Sequence, residues 1–166
     1  MKLLLSVAFC FLFVATNRTQ AQETTIIKRD SFSLKYPSAW KIDTEDEDYD
    51  PDALFSLDAP DGDNMIMFMI FNVPLDPDEL LNEQVKAMSE QVVKNPQVTT
   101  LTQWGNYKGK GKKLSGKLLG VFKGFVRIFV YTDDHKTMLV VEQCYDKAYE
   151  TLKKDYDVIE SSFRFH

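Results

Sequence analysis

Four aspartates recur at alternate positions in the acidic run TEDEDYDPD: Asp46, Asp48, Asp50 and Asp52. Carboxylates at that spacing open a calcium loop, in which alternate side chains turn toward one hard cation. An EF-hand loop counted from Asp48 would also need glycine at its sixth position and glutamate at its twelfth. Those positions hold Ala53 and Ala59. A second metal pattern follows at Met65, Met67 and Met69, whose soft thioethers at alternate strand positions suit copper(I). Ile66, Phe68, Ile70 and Phe71 are interleaved with them, and methionine is an ordinary filler of apolar cores. The sequence therefore reads as having no resident cofactor. Calcium at the acidic loop 43–52 or copper at strand 65–69 is the alternative, which would make the chain a metal or small-ligand carrier.

Other chemistry fails at specific residues. GKKLSGKL, Gly111 to Leu118, matches a phosphate-binding P-loop until its last position. Serine or threonine must stand there to hold magnesium, and the residue is Leu118. The chain has two histidines, His135 and His166, neither at motif spacing from a serine or cysteine nucleophile. Zinc needs several clustered ligands, and the histidines and cysteines are far apart along the chain. No catalytic residues are assigned, and the expectation is a protein that is not an enzyme.

Charge is unevenly spread. Residues 43–63 contain ten acidic and no basic side chains, and residues 94–127 contain eight basic and no acidic ones. Lys108, Lys110, Lys112 and Lys113 surround Gly109 and Gly111. On a strand the first three share one face. Two roles fit such a row. Lysines protect an exposed edge strand from pairing with other chains, or they form a docking surface for an acidic protein partner or an anionic envelope component. These four lysines are the candidate binding residues.

The elements that must hold these groups are legible from periodicity. Phe32, Leu34 and Tyr36 alternate with polar residues up to Pro37, as in a half-buried strand. ALFSL and NMIMFMIFNV flank DAPDGDN, an Asp-Gly hairpin. Asp76 caps a helix with Pro77 in its first turn, and Leu81, Val85, Met88 and Val92 form its stripe, with Asn95-Pro96 expected to stop it. Strands are expected over 98–104, over 112–118 with 119–131 running on from it, and over 137–145. A closing helix from Asp146 carries Tyr149, Leu152, Tyr156, Ile159 and Phe163 on one stripe. Hairpins without alternating βα units imply an α+β fold with an antiparallel sheet.

Residues 1–21 combine Lys2, an apolar run from Leu3 to Ala15, and a small residue at Ala21. This is the pattern of a cleaved signal peptide, and Phe9 before Cys10 breaks the lipobox of a lipid anchor. Residues 22–166 are then a single domain, exported to the periplasm or secreted, with no membrane span. They carry 18 basic and 25 acidic side chains, a formal charge of −7, which argues against nucleic acid as a partner. Cys144 is the sole cysteine after Cys10, so the expectation is a buried thiol.

A first strand running into YPSAWKI, a middle helix, a strand meander and the ending YETLKKDYDVIESSFRF together resemble the PsbP superfamily. That superfamily includes the extrinsic oxygen-evolving subunit of photosystem II, a nuclear Ran-GTPase release factor and many exported bacterial proteins. The resemblance implies an α-β-α sandwich about a central antiparallel sheet, with Trp40 and Phe163 in its core. It also implies a protein-binding or accessory module of the cell envelope, because most members bind other proteins. Fold alone does not fix that role. No residue here matches the metal sites of the photosynthetic members, so none is carried over.

Overall fold

The computed structural model describes residues 22–91 and 93–166. The leader assigned to residues 1–21 and the last member of the first helical stripe, Val92, lie outside the described residues. In chain order the elements are β1 (Thr24–Lys28), β2 (Phe32–Pro37), β3 (Lys41–Asp43), β4 (Leu54–Asp58), β5 (Met65–Phe71), α1 (Pro77–Gln91), β6 (Val93–Trp104), β7 (Tyr107–Leu118), β8 (Phe122–Thr132), β9 (Thr137–Tyr145), α2 (Asp146–Ser162) and β10 (Arg164–Phe165).

Strand alternation decides the layering. In β5 Ile66, Phe68 and Ile70 are buried on one face, and the three methionines are half-buried on the other. β5 pairs with β4 and β9, and the antiparallel sheet runs β3-β4-β5-β9-β8-β7-β6. The β4–β5 turn uses Gly62 at φ 73, the left-handed conformation that glycine adopts without a Cβ clash. A smaller sheet, β1-β2-β10, and α2 cover the Phe68 face, and α1 covers the other over β6, β7 and β8. The result is an α-β-α sandwich about an antiparallel sheet, an α+β fold.

The face beneath α2 is aromatic. Phe32 stacks on Phe55 and on Phe163 at 5.3 and 5.7 Å between centroids, and Phe68 stacks on Phe55 and Phe163 at 4.9 and 5.7 Å. Each such ring contributes roughly 1.5–3 kcal/mol on burial. Trp40 is 2% exposed, meets Tyr156 edge-on, and donates its Nε1 proton to Asp155 Oδ2 at 2.7 Å. Both expected core anchors are in place.

Asp76 caps α1 as expected, its Oδ1 accepting from the backbone N–H of Asp78 at 2.8 Å and of Glu79 at 3.2 Å. Two local readings need correction. The helix ends at Gln91, and Asn95-Pro96 lies within β6, where the pairing with β7 shifts between Lys94 and Gln97. Asn95 takes φ 50 there, so its breaker character makes a bulge. β7 starts at Tyr107, and the turn 119–121 separates it from β8. The segment resembling a P-loop is thus a strand paired on both sides.

Candidate functional site: a basic trough beside a buried Arg-Glu cluster

β7 lies between β6 and β8, so its lysines are on an interior strand and cannot act as edge protection. The pleat divides the four. Lys110 reaches Asp78 of α1 at 2.5 Å, and Lys112 donates to Thr100 Oγ1 at 3.3 Å. Alternation puts exposed Lys108 on that same side. Lys113 is on the opposite side, its Nζ 3.8 Å from the centre of the Phe125 ring. The intervening glycines are packing positions. A Cβ on Gly109 would lie 2.3 Å from the Val130 carbonyl oxygen and 2.7 Å from Phe129 Cζ.

On the Lys113 side the sheet and α2 diverge and leave a trough of about 810 Å3. Lys113, Lys117 and Lys123 line it from β7 and β8, with Phe125 between them and the bulged segment of β6 contributing Asn95 and Gln97. The first turns of α2 supply Tyr149, Asp146 and Glu150. Lys117 and Lys123 are directly opposite in the β7–β8 register, an unfavourable like-charge pair. Among the described residues none of the three trough lysines makes an ion pair within 4.0 Å. Their charge remains available to a ligand. Lys113 is the member common to this site and the four expected lysines.

Next to the trough is a cluster that matches no sequence motif. Arg127 of β8 is opposite Glu142 of β9, and its Nε contacts Glu142 Oε2 as an ion pair without hydrogen-bond angles. Its Nη2 donates to Glu160 of α2 at 2.7 Å. Glu142 is fully buried, and its Oε1 accepts from Trp104 Nε1 at 2.8 Å. The guanidinium is about 6 Å from the rings of Phe125, Tyr149 and Tyr156. One guanidinium thus serves two carboxyl groups, one fully buried and one partly exposed. Burial is the main cause that pushes the Glu142 carboxyl up to about 7, opposed by Arg127 and reinforced by Glu160. The legible signal was a lone charge within each of two apolar strands, GFVRIFVY and MLVVEQCY.

Cys144 is sealed in this layer, and burial together with Glu142 raises its thiol to about 12, so it stays protonated. His135 occupies the β8–β9 turn, and His166 Nε2 is 3.0 Å from Ser33 Oγ. The acidic run turns inward on its own backbone. Asp46 and Asp50 each accept the N–H two residues on, from Asp48 and Asp52, at 2.9 Å. Asp46, Asp48, Asp50 and Asp52 form no metal-holding group, and neither do any other His, Cys, Asp or Glu side chains among the described residues. Met67 and Met69 pack on the core beneath α1, while with Met65 they line a hollow of about 160 Å3 beside Asp46, Asp48 and Tyr49. Among the described residues no helix is long and apolar enough to cross a membrane.

No protein-family profile matches the sequence, and no curated protein matches it. Solved structures do. Cyanobacterial PsbP (CyanoP) from Synechocystis sp. superposes with a TM-score of 0.53 over 93% of this chain and 99% of its own, at 10% identity. A protein of Bacteroides thetaiotaomicron gives 0.52 at 12% identity, covering 81% of this chain and 45% of that one. LpqN of Mycobacterium tuberculosis, described as involved in cell envelope biogenesis, gives 0.47 at 16% identity over 89% and 87%. With this strand order and the superposition on cyanobacterial PsbP, the chain has the PsbP-like fold.

Proposed function

We propose that the protein is an exported, non-enzymatic accessory module of the cell envelope that holds an acidic segment of a protein partner in the trough between β6 and α2. The observation that carries this reading is the set Lys113, Lys117 and Lys123, three ammonium groups without ion-pair partners among the described residues, around Phe125 and Tyr149. Charges of this kind steer encounter and fix register, and the aromatic rings supply apolar contact area. Export rests on the leader pattern of residues 1–21. The non-enzymatic reading rests on the protonated, sealed thiol of Cys144 and on the exposed His166–Ser33 pair, in which, among the described residues, no carboxylate is hydrogen-bonded to the imidazole to orient it.

A photo-crosslinking residue at Gln97 in the trough, compared with one at Lys112 on the α1 side, tests the site in envelopes of the native host. A discrete protein adduct is expected from position 97 and none from 112, weakened by Lys113→Gln and by salt. An adduct from position 112 alone, or one indifferent to Lys113→Gln, overturns the trough as the docking site.

A further inference from the structure

The β7–β8 hairpin ends in a turn of unusual composition. Leu119, Val121 and Phe122 are 64%, 67% and 58% exposed, three large apolar side chains on one protruding tip. The turn is ordered, with the Val121 N–H donating to the Leu118 carbonyl at 3.1 Å. Leu119 has φ 50, a conformation that asparagine or glycine adopts at lower cost. A polar turn would relieve both the exposure and the strain.

Behind the apolar tip is a basic collar. Lys117 and Lys123 are exposed and face each other across the hairpin, and Lys147 at the start of α2 lines the hollow beside Val121, Phe122 and Tyr145. Phe122 meets Tyr145 edge-on at 5.8 Å. Asp63 and Asp146 line the same hollow, and Asp146 and Glu150 line the adjoining trough with Lys117 and Lys123. The acidic loop after β3 is remote in register. It leads into Leu54, which is level with Met69, Leu139, Val130 and Lys110, at the far end of β7 and across the sheet from the hairpin tip.

From these observations we infer that the hairpin tip 117–123 is a membrane-contact device, which inserts Leu119, Val121 and Phe122 into the interface of an anionic bilayer while Lys117, Lys123 and Lys147 meet lipid phosphates. Leu119 and Val121 are the most exposed of the three and flank Gly120 at the apex, so they are the side chains that reach a bilayer first. Lys117 and Lys123 are about 7–10 Å behind the apex at about 3.4 Å per residue, and interfacial segments bury about 5–10 Å. The depth matches. A second copy docked tip to tip would set lysine against lysine. The acidic loop is at the far end of β7 from the tip, so its charge does not oppose approach of this corner to an anionic surface.

Residues 22–166 hold every element among the described residues and omit the apolar run 3–15, so they are the form to test by co-sedimentation with vesicles. Binding is expected to vesicles of about 30% phosphatidylglycerol in phosphatidylcholine and not to phosphatidylcholine alone. Lys117→Gln with Lys123→Gln should lower the partition by about five-fold per lysine. Leu119→Ser with Phe122→Ser should lower it about ten-fold or more, with an unchanged circular dichroism spectrum. An environment-sensitive dye on Val121→Cys should shift to the blue with anionic vesicles. Absence of binding, binding indifferent to the apolar double variant, or an unshifted dye overturns insertion. So does a dimer in lipid-free sedimentation velocity that the apolar variant dissolves, which would assign the tip to a second copy. Lys113→Gln should leave vesicle binding intact, so failure here and failure of the trough reading are distinguishable.

Discussion

Glu142→Gln isolates the proton affinity of the buried cluster from everything else in the protein. The substitution keeps the shape and lets Oε1 still accept from Trp104, but it removes the group that titrates. Arg127 Nε then faces an amide, and only the difference between that amide and the neutral carboxyl group is independent of pH, because the pull of Arg127 on the carboxylate is contained in the Glu142 titration itself. The informative quantity is therefore the wild-type stability minus the variant stability, followed across pH. In the folded protein the Glu142 carboxyl is raised from the ordinary 4.5 to about 7 by burial. Between those two values the native state holds a proton that the unfolded chain has released. Stability then falls as pH rises through that window, by about 1.4 kcal/mol per pH step. The difference should shrink by about 3 kcal/mol from pH 4.5 to 7 and be flat on either side. Urea unfolding at half-unit pH intervals from 4 to 8.5 measures it. Parallel curves for the two proteins would mean that Glu142 has the same affinity folded and unfolded. A difference that grows with pH would mean that the Arg127 contact outweighs desolvation, and the reasoning about a shared guanidinium would be wrong.

Trp40→Ala should destabilise by about 3–5 kcal/mol, the range for emptying a fully buried large aromatic site; a loss under about 1 kcal/mol in urea unfolding would contradict its place against Tyr156. The Cys144 thiol, buried and raised to about 12, should resist Ellman's reagent at pH 8.5 in native buffer and react at once in denaturant. Rapid native labelling would show an open path to the thiol. Gly109→Ala should lower the unfolding midpoint, because the new methyl meets the Val130 carbonyl and the Phe129 ring, and an unchanged midpoint would show that β7 has room to shift.

Elements with a clear period were legible, and those set by partners elsewhere in the fold were not. The alternation of FSLKYP and the stripe from Tyr149 to Phe163 identify β2 and α2 because burial on one face repeats at the period of the element. β3 and β10 span three and two residues, too short for a period to appear. Asn95-Pro96 shows a limit of breaker signals, since the same pair that stops a helix also fits a strand bulge. Strand alternation is enough to put Lys108, Lys110 and Lys112 on one face. That β7 is interior depends on β6, which no property of β7 reveals. The trough is less legible still, because it needs β6, β7, β8 and α2 together.

The ion pair is a different case, since half of it follows from one turn. Asp133 caps the β8–β9 connection, accepting from the backbone N–H groups of His135 and Lys136 at 2.8 and 2.9 Å. A four-residue turn flanked by Thr132 and Thr137 fixes every later pair in an antiparallel ladder. Five residues back from Thr132 is Arg127, and five on from Thr137 is Glu142, so the turn alone sets them opposite each other. A charge buried in an apolar strand needs a partner, and here the register supplies one. What no local rule supplies is Glu160, which arrives on α2 to share the guanidinium. That third group adds a second carboxyl to a site with one cation, and it reinforces the burial that raises Glu142.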